Sequence, residues 1–385
     1  MIDQLKIVLI NDKDHADISV FSGTPFFMNK ALRKEFDVIA EYSPKTVDEL
    51  TIDSSSKDIN YDLQPIGERL SKLLASDDIK PDYIVCVGVN LITSTYNGTI
   101  PLVAWHDSTW HTYLRGYVTK KSFSNFKSKC RNLYLFDKAV VNRCDLLIYP
   151  SKYIAKACIK NYGVSPKKIK IIPFGANLIQ VPSAEILAKY LSDRLSSEGL
   201  NLMFLGAEWE RKGLHIAVKL TNKLNEIGIK TMLNVVGCEP PAGVCDFPYV
   251  KKWGYLKKSD ESHLNTLKDI FQRTHFLIHP ARSEPFGIAL CEANAYGIPV
   301  IGTNVEGLKT IIRNGKNGFR FNEDIFVDKA IKTIGNIHAD FNRKYTSLFE
   351  SSLREYNERL NWSSNVIKLK EHLIKQRFMP KSTKL

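Results

Sequence analysis

Residues 283–304 read SEPFGIALCEANAYGIPVIGTN, and this stretch decides how the second half of the chain folds. The apolar run FLIHPA precedes it, Pro285 stands just before a helical stretch, Gly297 ends that stretch, and a β-branched run resumes at Pro299. Because Pro favours the start of a helix and Gly its end, the pattern predicts a strand, a helix and a second strand. At such a junction the carboxyl end of a parallel strand meets the free N–H groups of the next helix, which favours a bound phosphate.

Two glutamates lie in this stretch, eight positions apart. Glu284 stands just ahead of the predicted helix, and Glu292 stands inside it among apolar neighbours. A buried carboxylate without hydrogen-bond donors is costly, so Glu292 needs a partner. The two hydroxyls of a nucleotide ribose would satisfy it, and a neighbouring basic side chain of the protein would also do so. The sequence leaves both interpretations open.

Short β-branched runs alternate with helical stretches along the rest of the chain, which is typical of parallel α/β architecture. Strands are predicted over residues 6–11, 37–42, 83–88, 102–107, 146–151, 170–175, 201–206, 231–237, 249–255, 276–281 and 299–303. Helices are predicted over residues 24–36, 62–75, within 122–142, and over 152–162, 213–227, 261–272 and 287–296. The pattern indicates two doubly wound domains, joined by a linker over residues 177–199.

Length and composition exclude several classes of protein. The chain has 385 residues, of which 44% are hydrophobic and 25% charged, so it is neither disordered nor collagen-like, and two domains are expected. No apolar run reaches the ~18–20 residues that a membrane-spanning helix needs. The amino terminus lacks the layout of a signal peptide, and the seven cysteines form no Cys-x-x-Cys pair. We therefore expect a cytoplasmic protein with reduced thiols.

The positive charge is concentrated in one segment. The net charge of the chain is +13, and residues 111–170 hold eleven Lys and three Arg against two Asp, a net charge of +12. Such a surface attracts anions. Aromatic residues are interleaved with the cations, which suits an anionic membrane surface, while nucleic acid would accept the same charge and a solvated helix would also explain it.

The motif around the two glutamates closely resembles the E-x7-E signature of glycosyltransferase family 4, the group 1 retaining transferases of GT-B fold. The similarity extends to residues 205–218, LGAEWERKGLHIAV, and to residues 151–177. It is weakest before residue 83 and after residue 321. The resemblance implies two Rossmann-like domains that face each other across a cleft. We expect an acceptor-side domain over residues 1–177, a donor-side domain over 178–358, and a tail over 359–385 that packs back on the first domain.

The resemblance also implies roles in the second half of the chain. Glu284 would contact the donor sugar and Glu292 the ribose, and Lys212 would balance the diphosphate as it leaves. The family commonly has an Arg where this chain has Ala207, so Arg211 is the candidate for the second cation. Backbone groups would complete the donor site, those of Phe286, Gly287 and Ile288 at the sugar and diphosphate, and those of Trp253 and Gly254 at the base.

In the first half, the resemblance implies roles for a histidine and a loop. His106 closes the strand LVAWHD, where the family's histidine contacts the transferred sugar. Gly23 and Thr24 follow the first strand, where backbone can approach a phosphate or an acceptor. Asp12, Lys13 and Asp14 formally make the D-x-D metal motif of another transferase fold. We interpret them as a solvated loop, and no metal or cofactor is expected.

The predicted function is that of a retaining glycosyltransferase, which moves a sugar from a nucleotide-diphosphate sugar to a lipid-linked or surface glycan, a glycolipid or a small hydroxyl acceptor. No nucleic-acid partner is expected, and residues 111–170 would contact the inner face of the cell membrane. Three alternatives remain open. They are a sugar-nucleotide epimerase, a glycosyl phosphorylase, which would need pyridoxal phosphate, and a non-catalytic nucleotide-sugar-binding protein.

Overall fold

A computed structural model of the chain describes residues 4–11, 15–42, 74, 80–88, 96–117 and 127–377, with the side chains of 114–117 and 127–133 excepted. The chain divides into two compact units, Met1–Pro173 with Asn365–Leu385, and Phe174–Ser364. The sequence predicted boundaries after residues 177 and 358.

The described residues of the first unit form six parallel strands. They are β1 (Lys6–Asn11), β2 (Asp37–Tyr42), β3 (Tyr83–Val87), β4 (Leu102–Trp105), β5 (Leu146–Tyr149) and β6 (Ile169–Ile171). Their order in the sheet is β2-β1-β3-β4-β5-β6. The described helices of this unit include α1 (Thr24–Glu35), α2 (Trp110–Tyr117), α3 (Lys127–Arg143) and α4 (Lys152–Tyr162). Every residue of β3, β4 and β5 is buried, as expected for parallel strands covered on both faces.

The second unit repeats this plan. Its strands are β7 (Leu200–Leu205), β8 (Thr231–Val236), β9 (Val250–Lys252), β10 (Phe276–His279), β11 (Val300–Thr303) and β12 (Gly318–Phe321), in the order β12-β11-β10-β7-β8-β9. Its helices are α5 (Ala184–Leu195), α6 (Leu214–Glu226), α7 (Glu261–Arg273), α8 (Ile288–Ala295), α9 (Leu308–Ile311), α10 (Phe326–His338) and α11 (Phe341–Arg359). The predicted pair of parallel, doubly wound sheets is confirmed.

The last helix, α12 (Trp362–Arg377), contributes its described residues from Asn365 onward to the first unit. The hydroxyl of Tyr83 donates to the carbonyl of Leu373 over 2.9 Å. Two ion pairs of 3.2 Å join the same segment to the end of α1 and to the start of β3, Lys370 to Glu35 and Arg377 to Asp82. The end of the chain therefore packs on the unit that its beginning forms.

The predicted linker over residues 177–199 is wrong, because it contains α5. The Ser-rich composition of the segment suggested exposure to solvent, but the side chain of Arg194 is buried. Its guanidinium donates to the carbonyls of Phe271 and Gln272, each over 2.9 Å, at the end of α7. A cation that satisfies the last carbonyls of a neighbouring helix holds α5 in place. The sequence patterns also did not predict α2, α9 or β12. The predicted helix over 62–75 lies outside the described residues except at residue 74.

Candidate functional site

Two loops meet at the centre of the second sheet. Strand β7 lies between β8 and β10, so the direction in which strands are added reverses between β7 and β10. In open α/β sheets, ligands bind outside the carboxyl ends of the strands at such a switch point. The loop after β7 carries Arg211 and Lys212, and the loop after β10 carries Glu284. The structure thus brings together three of the residues predicted from the sequence.

Glu284 is 7% exposed, and three basic side chains surround one of its oxygens. Oε2 lies 3.6 Å from Nζ of Lys212, 3.7 Å from Nη1 of Arg211 and 3.2 Å from Nε2 of His279. Burial alone would raise the pKa of Glu284, but Lys212, His279 and Arg211 together hold it well below its usual range. Glu284 is therefore ionised at neutral pH, and both of its oxygens can only accept hydrogen bonds.

His279 was not among the predicted site residues. Burial lowers the pKa of its fully buried ring, and this effect exceeds the opposite effect of the hydrogen bond to Glu284, so the ring is neutral. Since the carboxylate of Glu284 can only accept, the hydrogen of the neutral ring lies on Nε2. His279 could have been identified from the sequence by its position at the end of β10, five residues before Glu284.

The stem of Lys212 lies across the end of strand β7. A Cβ atom at Gly206 would stand 2.2 Å from Cδ of Lys212, so a glycine is required for this approach. Arg211 is held differently. Its guanidinium binds both carboxylate oxygens of Glu208, over 2.8 and 3.1 Å, and it also donates to the carbonyl of Ser283. Both cations are largely buried, which rules out a solvated surface charge at Arg211.

Helix α8 begins beside this cluster, at Gly287. The φ of Gly287 is +103°, in the region that favours glycine, and none of the described side chains caps the helix there. The first N–H groups of a helix without such a cap suit an anion or water. Ile288 is the first helical residue, and the buried ring of Phe286 contacts Phe174 with 5.3 Å between centroids.

Glu292 lies inside α8 and is 3% exposed. Its Oε1 accepts a hydrogen bond from Nζ of Lys258, and the same ammonium group donates to the carbonyl of Asn177 over 2.9 Å. The basic partner that the sequence left open is therefore Lys258. It stands in the run KKSD, which carries no pattern that distinguishes it from a solvated loop.

Trp253 and Gly254 follow β9, at the same edge of the second sheet. The indole N–H of Trp253 donates to Oδ1 of Asn234 over 2.9 Å, and Nζ of Lys251 stands 3.8 Å from the ring centroid. The carbonyl of Gly254 accepts from the N–H of Gly237 over 2.7 Å. These contacts place the backbone of both residues next to the end of β8.

The remaining predicted residues belong to the first unit. His106 follows β4 and is fully buried, and burial lowers its pKa from 6.5 to about 4. Neither ring nitrogen finds a hydrogen-bond partner among the described residues. Gly23 is the N-cap of α1, with a φ of +87°, and Thr24 is the first residue of that helix.

Two predictions fall partly or wholly outside the described residues. Asp12, Lys13 and Asp14 lie outside them, and in the described part of the chain no three His, Cys, Asp or Glu residues gather as metal ligands. In residues 111–170 the basic side chains from 115 to 131 are likewise not described. Among the described helices, none has both the length and the apolarity to span a bilayer.

The residues of this site lie within segments that match known families. The family model Glycosyl transferases group 1 matches residues 194–340, and the model Glycosyltransferase Family 4 matches residues 54–179. One relative is described as an uncharacterized 41.2 kDa protein in the cps region of Klebsiella pneumoniae. It is 25% identical over 198 residues, which are 50% of this chain and 52% of the relative.

A second relative is D-inositol 3-phosphate glycosyltransferase 2 of Catenulispora acidiphila, 25% identical over 193 residues, 46% of this chain and 44% of the relative. The chain thus spans about half the length of the curated relatives that it matches. Among solved structures, HepE of Anabaena in complex with UDP and glucose superposes with a TM-score of 0.61 and 15% identity, over 95% of this chain and 99% of that one. With its two six-stranded parallel sheets among the described residues, the chain therefore has the GT-B fold, and a segment that matches Glycosyltransferase Family 4 is followed by one that matches Glycosyl transferases group 1.

Proposed function

We propose that the protein is a retaining, metal-independent glycosyltransferase that moves a sugar from a nucleoside-diphosphate sugar to a hydroxyl acceptor. One observation carries the proposal. Lys212 and Arg211 converge on the ionised Glu284 at the switch point of the second sheet, beside the start of α8. Fixed cations of this kind stabilise a leaving diphosphate when the bond to the sugar breaks.

The arrangement of charges supports separate roles for the three residues. A diphosphate brings negative charge that Lys212 and Arg211 balance, with the backbone of Phe286, Gly287 and Ile288 at the helix start. Glu284 stays ionised beside them and accepts hydrogen bonds from hydroxyls of the sugar. Because the two cations supply the positive charge at the leaving group, the reaction as proposed needs no metal.

Glu292 is proposed to bind the ribose. Lys258 occupies one of its oxygens, and a carboxylate has about four acceptor sites, so hydroxyl groups can bind while the ion pair persists. We place the base at the backbone of Trp253 and Gly254. The resemblance noted above supports His106, Gly23 and Thr24 as contacts to the sugar and acceptor.

Retention of configuration is proposed because the motif around Glu284 and Glu292 resembles that of the retaining group 1 transferases. We propose attack by the acceptor from the face of the leaving group, assisted by its phosphate. The proposed acceptor is a lipid-linked or surface glycan. This proposal is supported by the relative from Klebsiella pneumoniae, which is described as a protein in the cps region. Peripheral contact with the inner face of the cell membrane would bring the enzyme to such an acceptor.

An assay that measures release of the nucleoside diphosphate from a sugar donor tests the proposal. The full chain is incubated with UDP-glucose, UDP-galactose, UDP-N-acetylglucosamine, GDP-mannose and ADP-glucose, with and without lipid-linked and small glycan acceptors. We expect diphosphate release that depends on an acceptor, in the presence of a chelator, and a product whose anomeric configuration equals that of the donor. Binding without release would identify a non-catalytic nucleotide-sugar-binding protein. Conversion of the donor without any acceptor would identify an epimerase, and a visible absorption band of pyridoxal phosphate would identify a phosphorylase.

A further inference from the structure

Glu306 has a backbone conformation that is unusual for its residue type. It lies in the loop between β11 and α9 with a φ of +32°. Among the described residues of the second unit, every other residue with a φ between +20° and +160° is a glycine. An L-residue with a side chain is strained in this region, which glycine adopts without a steric clash. Glu306 therefore has a backbone conformation that needs a compensating interaction.

The side chain of Glu306 accounts for the strain. Its Oε2 accepts two hydrogen bonds, from Oγ of Ser283 and from the backbone N–H of Glu284, each over 2.8 Å. The N–H of Gly307 donates to the carbonyl of Glu284 over 3.0 Å. Glu306 and Gly307 thus bind both backbone groups of Glu284, its N–H and its carbonyl. Strain that the surrounding structure maintains at such a place is a sign of function.

The two loops are also in direct contact. A Cβ atom at Gly307 would stand 1.9 Å from the carbonyl oxygen of Pro285, so the segment fits only with a glycine there. From the opposite side, the guanidinium of Arg211 donates to the carbonyl of Ser283. The peptide that carries Glu284 therefore lies between the loop after β7 and the loop after β11.

We infer that Glu306 is a positioning residue, which holds the backbone of Glu284 so that its carboxylate meets the cations and the sugar of the donor. The inference rests on the proposed function, since it is there that Glu284 contacts the sugar. The hydrogen bonds of the Glu306 carboxylate go to Ser283 and to the backbone of Glu284, so we expect Glu306 to act through Glu284 and not on the diphosphate. It therefore contributes to the affinity for a sugar conjugate and leaves the affinity for the free diphosphate unchanged.

Three substitutions separate this role from a structural one. Glu306→Gly removes the carboxylate and relieves the strain, and Glu306→Ala removes the carboxylate and keeps the strain. Glu306→Gln keeps an oxygen that accepts both hydrogen bonds. Glu350→Gln, on the exposed face of α11, serves as the matched control. Calorimetry gives the dissociation constants for the five donors named above and for UDP, GDP and ADP, and thermal unfolding reports stability.

The ratio of the dissociation constant of a diphosphate to that of its sugar conjugate is the readout. We expect the ratio to fall about tenfold in Glu306→Gly and Glu306→Ala, as for loss of a hydrogen bond to a charged group. It should stay within about twofold of wild type in Glu306→Gln and Glu350→Gln. Diphosphate affinity should be unchanged in all four, and Glu306→Gly should melt above Glu306→Ala.

Two results would overturn the inference alone, with the proposed function intact. One is a wild-type ratio in a folded Glu306→Gly protein. The other is an equal loss of affinity for diphosphate and conjugate, which would mean that Glu306 serves the whole loop and not Glu284. A wild-type protein that binds none of the conjugates would overturn the proposed function and, with it, the inference.

Discussion

Nζ of Lys212 lies 3.6 Å from Oε2 of Glu284, although the two residues leave from different strands of the second sheet. Each is largely buried, and each balances the charge of the other. Removal of Lys212 would leave the buried carboxylate with one cation, Arg211, and would take away part of its charge balance. The pair therefore contributes to the order of the site before any ligand binds, and it supplies the cation that a diphosphate would use.

The substitution Lys212→Ala tests the role of this cation. Loss of a donor that stabilises developing charge usually costs ~10²-fold or more in turnover. We expect that loss in the acceptor-dependent release of diphosphate. Lys219→Ala, on the exposed face of α6, is the control and should keep wild-type turnover. If folded Lys212→Ala protein turned over like the control, Lys212 would have no part in the reaction.

Glu292→Ala tests the ribose contact. The variant loses the acceptor for the ribose hydroxyls and leaves the ammonium of Lys258 without its carboxylate. We expect affinity for free diphosphates to fall about tenfold or more by calorimetry, because hydrogen bonds to a charged group are lost. The double variant Glu292→Ala, Lys258→Met removes the unpaired charge and should regain stability without regaining affinity. Wild-type affinity in either variant would refute the assignment.

His275 predicts a dependence of stability on pH. Its Nδ1 accepts from the N–H of Asn201 over 2.9 Å, its Nε2 lies 3.0 Å from the carbonyl of Arg194, and burial lowers its pKa from 6.5 to about 4. Between these values the unfolded chain binds the proton and the folded chain does not, so the free energy of unfolding falls as the pH falls from 6.5 towards 4. The contribution of this residue amounts to roughly 3 kcal/mol.

Urea unfolding at a series of pH values measures this contribution. In His275→Gln the loss of stability between pH 6.5 and pH 4 should be smaller than in wild type by roughly that amount. His215→Gln, on the exposed face of α6, controls for the substitution and should follow the wild-type curve. Parallel curves for wild type and His275→Gln would show that the folded protein protonates His275 as readily as the unfolded chain.

Helix α4 carries an exposed stripe of Lys152, Lys156 and Lys160, and its opposite face is buried. We predict binding to vesicles that contain an anionic lipid, with a contribution of ~1 kcal/mol from each lysine near the surface. Replacing all three lysines with Glu should abolish sedimentation with the vesicles, and so should high salt. The same exchange at the exposed Lys219, Lys329 and Lys332 of the second unit should leave it unchanged. Equal vesicle binding by both triple variants would show that α4 does not contact the membrane.

The amino-acid sequence by itself determined the two sheets and the junction at residues 283–304. Short β-branched runs, helical spacing, Pro285 ahead of a helix and Gly297 behind it are local signals, which depend on neighbours in the chain. The bounds of β1, β2 and α4 agree residue by residue with the prediction. Lys212 and Glu284 were also identified from the sequence, because each lies in a short motif that resembles one of a known family.

Only the tertiary structure decided the partners of these residues. Strand β10 pairs with β7 although β8 and β9 lie between them in the chain, and this order brings Lys212 to Glu284. His279 contacts the carboxylate of Glu284, and Glu306 accepts from its backbone N–H. Lys258 contacts Glu292 from a loop whose sequence has no distinguishing pattern. Contacts between distant segments depend on strand order and on burial, which act in three dimensions and leave no periodic trace in the chain.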